Sequence, residues 1–259
     1  MNIAVTTIRN YSRSIREEAE ERGRALSLPF VPREGTLEDM RARCHEEGFL
    51  IYGKKQPSFW IGGEEYRFHL GTAVLRCEQM RRGHEDRLCR LLPEGTVSVL
   101  DATFGQGGDS TVLSWFLGDR GQVTALEKSI PLYEIGRAGL ASFTDKKEES
   151  LTKALRRIRL LHEDFRHFLE NAEPKSFDVI YFDTMFRSPV KREVNRMEGF
   201  RKAASYDRLD EGILTLALHI AGKRIIVKER PFSPLFQNHL FSSVHSHKGQ
   251  STAYGVIDL

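Results

Sequence analysis

Residues 97–109, VSVLDATFGQGGD, run an apolar segment directly into a glycine-rich turn and the start of a helix. Val97, Val99 and Leu100 are the β-branched or bulky residues that a central parallel strand requires. Asp101 then falls at the strand's carboxyl end, where open α/β sheets bind ligands. Gly105, Gly107 and Gly108 let the backbone turn tightly and approach a ligand with no Cβ in the way. Asp109, Ser110 and Thr111 are expected to cap the following helix, DSTVLSWFL, whose first amide N–H groups would face that ligand.

A second apolar run, Gln122 to Leu126, ends in Glu127, about 20 residues past Gly107. Nucleotide-binding α/β folds place a carboxylate there, on the ribose hydroxyls. A nicotinamide or flavin site calls for G-x-G-x-x-G, but Ser110 stands where the third glycine belongs. The D-x-x-x-G-x-G arrangement from Asp101 to Gly107 resembles instead motif I of the class I S-adenosylmethionine-dependent methyltransferases.

A third strand pattern, Phe177 to Phe182, empties into Asp183-Thr184-Met185-Phe186. It resembles motif IV of methyltransferases that modify exocyclic base amines, where an Asp or Asn precedes an aromatic residue. The lone pair of such an amine is delocalised into the ring, so acceptors on its N–H groups are needed to hold it toward the methyl donor. Asp183 and the backbone carbonyls of the DTMF loop would do this, and Phe186 offers a stacking face for an extruded base.

Taken together, RFHLGTAVLRCEQMRRGHEDRLCRLL, VLDATFGQGGDSTVL, ALEKS, LLHEDF, YFDTMF and KRIIVKERPFSP resemble the bacterial small-subunit ribosomal RNA guanine-N2 methyltransferase J family over residues 66–259. The resemblance implies S-adenosyl-L-methionine as cofactor. It carries the family's cofactor contacts to Gly108 and Asp109, Glu127 and Lys128, Asp164 and Phe165, and Asp183. Two departures stand out. Gly108 replaces the arginine that precedes the motif I aspartate, and Thr184 and Arg187 replace the prolines of a D-P-M-F-P motif IV.

The expected architecture is α/β, a Rossmann-like class I methyltransferase fold with a small N-terminal α+β domain. Residues 1–69 form that domain, with strands at Ile3 to Thr7, Phe49 to Tyr52 and Ser58 to Ile61, and helices at Ser12 to Leu26 and Leu37 to Glu47. Gly62-Gly63 turns a hairpin into Glu65 to His69. Substrate recognition and structural support both suit the domain. Residues 70–92 read as a bridging helix, from about Thr72 to Leu92, before Pro93-Glu94-Gly95. Residues 93–259 then alternate strands and helices as a parallel sheet demands. By resemblance that sheet has seven strands, mainly parallel, closed by an antiparallel hairpin around Lys248-Gly249-Gln250-Ser251.

The chain's 259 residues contain no apolar run approaching the roughly 18 of a spanning helix, and no signal-peptide pattern. The expectation is a cytoplasmic protein with no membrane partner. Cys44, Cys77 and Cys89 lack C-x-x-C spacing, and His245 and His247 lack a third ligand, so neither a disulfide framework nor a metal site is expected. Cys77 and Cys89 should face a helix core, and Trp60 and Trp115 should be buried.

A formal net charge of +3 does not announce nucleic-acid binding, but its distribution is informative. Residues 187–202, just after motif IV, hold six basic and two acidic residues, with Arg187, Lys191 and Arg192 placed to contact substrate phosphates. Arg76, Arg81, Arg82, Arg87 and Arg90 form a second cluster, and Lys153, Arg156, Arg157 and Arg159 a third. Each can be a phosphate-binding stripe or a solvated helix face. The reading is a methyltransferase acting on a guanine amine in structured RNA, either ribosomal RNA or the assembled small subunit. The alternatives are a small-molecule or protein methyltransferase, a non-catalytic RNA-binding or ribosome-assembly module with a remnant cofactor pocket, and, least favoured, an NAD-dependent oxidoreductase.

Overall fold

The computed structural model of the protein describes residues 1–145, 149–183, 209–247 and 249–259. They fall into two units, one of Met1–His69 with Ser129–Ser142, the other of the remaining described residues.

The first unit opens with β1 (Ile3–Thr7), every residue of which is buried. Helix α1 (Arg13–Ala25) starts at Ser12, whose side chain accepts from the Ile15 amide, and buries Ile15, Ala19 and Gly23, spaced four apart on one face. Gly23 sits tightly, since a Cβ there would lie 3.1 Å from the Leu28 carbonyl. Helix α2 (Leu37–Cys44) begins in a capping box, with the Thr36 and Asp39 side chains each accepting from the other's amide. The sequence carries this helix to Glu47, but His45 adopts a left-handed conformation and ends it at Cys44. Then follow β2 (Gly48–Tyr52), β3 (Ser58–Ile61) and β4 (Glu64–Arg67). They form a sheet in the order β1-β2-β3-β4, with β1 and β2 parallel and the other pairs antiparallel. Gly62 and Gly63, both at positive φ, make the hairpin turn.

In the second unit, α3 (Ala73–Arg81) is shorter than the single helix expected up to Leu92. Gly83, at φ 88°, donates to the Met80 carbonyl while His84 donates to Gln79, the hydrogen-bond pair that closes a helix. Asp86 then accepts from the Leu88 and Cys89 amides, starting a short 3-10 turn at Cys89–Leu91. Cys77 and Cys89 are both buried, as expected. The core continues with β5 (Ser98–Asp101), α4 (Gly108–Leu117) and β6 (Gln122–Glu127).

The next helix, α5 (Ile130–Ser142), belongs to the first unit. Its wholly buried Glu134 is held there by Arg22 at 2.7 Å, Arg137 at 2.6 Å and the Tyr52 hydroxyl at 2.7 Å. The chain then returns to the second unit through α6 (Glu149–Arg157), β7 (Arg159–His162), α7 (Phe165–Asn171) and β8 (Phe177–Asp183). Helix α8 (Glu211–Ile220), β9 (Ala221–Glu229), β10 (Ser243–Ser246) and β11 (Ala253–Asp258) complete it.

The seven strands are ordered β10-β11-β9-β8-β5-β6-β7. The ladders from β7 to β9 are parallel, and β11 is antiparallel to both β9 and β10. Strand order reverses between β5 and β8, which creates the crevice where open α/β sheets bind ligands. Beneath it Leu100, Ile180, Phe182, Ile213, Leu214, Ile225 and Val227 form one continuous apolar core. Trp60 is buried in the first unit, but Trp115 is half-buried on the outer side of α4 and donates its indole N–H to Ser150.

Candidate functional site

The switch point gathers Asp101, Gly105, Gly107, Asp109 and Asp183, because β5 and β8 pair with Asp101 opposite Tyr181. Gly107 takes φ 76° and starts α4, and a Cβ on it would sit 2.5 Å from the Phe104 ring, so only glycine fits. Gly105, at φ 57°, donates its N–H to Glu127 Oε2 at 2.9 Å, which ties the turn to the end of β6. Gly108 is in open space, with only the Leu70 carbonyl as near as 4.0 Å to a Cβ built there.

No side chain caps α4, contrary to the expectation for Asp109, Ser110 and Thr111. Each is drawn into a different bond. Thr111 donates to the Gly107 carbonyl at 2.6 Å, Ser110 donates to Asp101 Oδ2, and Asp109 enters an ion network. The first-turn amides of α4 therefore keep the electropositive helix end that favours an anionic or electron-rich ligand.

Asp101 is 1% exposed and bonded on both oxygens, to Ser110 and to the Thr103 amide at 3.0 Å. Burial raises its pKa to about 7; the two hydrogen bonds work against this and the neighbouring charges of Asp109 and Asp183 add to it. Its geometry makes it an organiser of the turn.

Asp109 is held by Tyr181 Oη at 2.7 Å, Lys228 Nζ at 2.8 Å and Arg76 Nη1. Burial opposes ionisation of Asp109, but Lys228 and Arg76 overcome it and hold the carboxyl well below the usual range. Lys228 Nζ also reaches Asp183 Oδ2 at 2.8 Å, and the Asp183 amide donates to Thr103 Oγ1 at 2.7 Å. Register explains the pairing, since Asp183 lies directly opposite Lys228 between β8 and β9. Arg76 in turn chelates Asp86 through Nε at 2.8 Å and Nη2 at 2.9 Å. Asp86, Arg76, Asp109, Lys228 and Asp183 thus form one alternating chain of charges.

At the neighbouring strand ends, Lys128 pairs with Asp164, which also caps α7 by accepting from the Arg166 amide at 2.8 Å. The Phe165 ring packs edge-on against Phe182, 5.8 Å away, on the core side. His162 is exposed, with its Nε2 3.1 Å from the Lys128 carbonyl. Thr184, Phe186, Arg187, Lys191 and Arg192 lie outside the described residues.

Sequence reasoning missed Lys228, Tyr181 and Thr103. The signal for Lys228 was a lone cation at the end of the apolar run Ile225-Ile226-Val227, in the strand beside the one carrying Asp183. Arg76, grouped with a possible phosphate-binding stripe, is instead committed to Asp86 and Asp109. Arg87 lies over the Tyr254 ring at 5.3 Å and bonds the Thr252 carbonyl.

The sequence of residues 65–256 matches the SAM_MT family model of SAM-dependent methyltransferases. This chain belongs to the SAM_MT family. Its cofactor is S-adenosylmethionine. Similar sequences include an uncharacterized Bacillus subtilis protein, YpiP, 29% identical over 98% of both chains. A ribosomal RNA small subunit methyltransferase J of Saccharophagus degradans is 31% identical over 85% of both. Its counterpart in Desulfotalea psychrophila is 31% identical over 54% of this chain and 52% of that protein. The fold of the SAM-dependent methyltransferase NGO1261 from Neisseria gonorrhoeae superposes with a TM-score of 0.61 at 18% identity, covering 98% of this chain and 95% of that one. The seven-stranded SAM_MT sheet is therefore a Rossmann-like methyltransferase fold, as expected. Among the described residues no helix is long and apolar enough to cross a membrane, and no group of side chains could hold a metal ion.

Proposed function

We propose that this SAM_MT member methylates the exocyclic amine of a guanine in ribosomal RNA of the small subunit, in the cytoplasm. The observation that carries the reading is the fixing of Asp183 at the carboxyl end of β8, beside the glycine turn, by Lys228 on one oxygen and Thr103 on its amide. The names of the methyltransferase J relatives point the same way.

The residues present suit the cofactor. The positive-φ glycines put no side chain on the turn, the first turn of α4 carries no side-chain cap, and Glu127 stands at the end of the next strand. In this reading Glu127 accepts from the ribose hydroxyls, the Gly107-Gly108 backbone approaches the donor, and Lys128, Asp164 and Phe165 border the adenine. When bound, the cofactor supplies an electrophilic methyl group on a sulfonium.

Asp183 acts on the other partner. An ionised carboxylate accepts from an amine N–H, turns the nitrogen lone pair toward the methyl group, and is the nearest acceptor for the proton the amine sheds once it carries four substituents. Lys228 holds Oδ2 and so fixes the orientation of the carboxylate that meets the amine. Phe186 provides the stacking face, and Arg187, Lys191 and Arg192 contact phosphates.

The test is methyl transfer from labelled S-adenosylmethionine to small-subunit RNA lacking the modification. Asp183→Asn should lose at least about a hundredfold in kcat with cofactor affinity retained. Unchanged turnover would remove Asp183 from the chemistry, and transfer that is insensitive to salt would favour a small molecule or protein substrate.

A further inference from the structure

The first unit has a strand end of its own. Strand β1 lies parallel to β2 and, through a bridge from Val5 to Phe30, parallel to the segment around residues 30–31. Three chain segments therefore leave this small sheet at one edge. Arg9 follows β1, Arg33 follows the bridge, and Lys54 and Lys55 follow β2. Carboxyl ends of adjacent parallel strands are where α/β sheets take ligands, and four cations leave the sheet at this one.

Arg33 is placed as few arginines are. Its Nε and Nη1 are shut off from solvent and make no hydrogen bond among the described residues. Burial lowers its pKa, and among charged neighbours Arg9 has the largest effect and acts in the same direction; Glu38 and Glu65 act the other way. Glu65 is already engaged with Ser58 and Arg67. The same strand end holds two further unpartnered polar atoms, the hydroxyls of Thr6 and Thr7, both on residues with no exposed surface. A guanidinium with two nitrogens shut off from water and a second cation acting on it is unfavourable unless an anion joins it. Arginine's fixed fork of donors suits a phosphate.

We infer that the first unit binds a phosphate group at the carboxyl ends of β1 and β2, with Arg33 and Arg9 as its ligands, and that in turnover this phosphate belongs to the RNA backbone. The second half of the inference rests on the RNA substrate proposed above; the first half does not. It gives the N-terminal unit a recognition role, in which it grips substrate backbone independently of the base being modified.

The test uses the full chain, with inorganic phosphate as probe. Phosphate should raise the melting temperature of the wild type above that in sodium chloride of equal ionic strength, because a ligand that binds the folded state stabilises it. Arg33→Met should abolish that increment while leaving the phosphate-free melting temperature equal or higher, since an unpaired buried charge has been replaced by an apolar side chain. Arg9→Gln, at a second ligand, should shrink the increment and guards against a folding defect specific to Arg33→Met. In methyl transfer, Arg33→Met should raise the KM for RNA about tenfold at constant kcat and reduce the salt slope by about one. A phosphate increment equal in wild type and both variants, or none in the wild type, overturns the site. A lost increment with unchanged KM overturns its assignment to RNA and leaves a free phosphate compound as the ligand. Absence of any methyl transfer to RNA by the wild type refutes the proposed function, while the phosphate increment is still readable.

Discussion

Replacing Lys228 by methionine removes the cation shared by Asp109 and Asp183 while keeping an unbranched, flexible side chain. Its ammonium lies 2.8 Å from each carboxylate, with 19% of the side chain exposed and 11% of each aspartate. Breaking a buried pair by deleting one partner costs about 3–5 kcal/mol. Partial exposure of Lys228, and the bonds Asp109 keeps to Arg76 and Tyr181, place the expected loss near the lower end, about 3 kcal/mol. Asp183 loses the ammonium that holds its Oδ2. Freed on Oδ2, it is no longer fixed toward the amine, and kcat should fall on the order of a hundredfold. Denaturant unfolding measures the first effect and single-turnover methyl transfer the second. Calorimetric titration with S-adenosylmethionine should show affinity within about threefold of wild type, since Arg76 and Tyr181 keep Asp109 in place. Lys228→Arg, which restores charge with different geometry, should recover more stability than turnover. If Lys228→Met unfolds as wild type does and keeps full kcat, the charged chain does not position Asp183.

Glu127→Ala removes both the expected ribose acceptor and the tether to the Gly105 amide, and calorimetry should register a loss of about ten- to a hundredfold in cofactor affinity; no loss would end its ribose role. Asp101 tests the buried carboxyl. Its folded pKa of about 7 lies above the ordinary 3.8, so the folded state holds the extra proton between those values, and stability falls as pH rises through that window and levels off above it. Asp101→Asn lacks this loss and should gain on the order of 4 kcal/mol relative to wild type at pH 8 compared with pH 4. A constant difference across that range, read by urea unfolding, would contradict the assignment. The two glycines divide cleanly: Gly107→Ala, at φ 76° and against Phe104, should cost about 1–3 kcal/mol, whereas Gly108→Arg enters open space and should change stability by less than about 0.5 kcal/mol. Equal effects of the two would mean that Phe104 does not define the turn.

The parts of the fold that could be read from sequence were those set by local pattern. VSVL, QVTAL and FDVIYF become β5, β6 and β8 because continuous apolar runs fit strands covered on both faces, and Thr36 and Asp39 start α2 because a capping box is a four-residue signal. The bridging helix was carried on to Leu92, where Pro93-Glu94-Gly95 stops it, although Gly83 at positive φ closes α3. Within the site, the glycine turn and the three acidic strand ends were legible. The partners of those acids were not, since Arg76, Lys228 and Tyr181 meet Asp109 across 33, 119 and 72 residues of chain. Strand order and the packing of α3 on α4 bring them together, and a basic residue read in isolation looks like a surface charge. The placement of Ser110 and Thr111 failed for a related reason, because Asp101 and the Gly107 carbonyl compete for hydroxyls that a helix end would otherwise take.

The central claim is tested most directly by mapping methylated nucleotides in small-subunit ribosomal RNA from cells with the gene, without it, and with Asp183→Asn in its place. The account predicts one N2-methylguanine that is present in the first, absent from the second and not restored in the third. Identical maps in all three would contradict it.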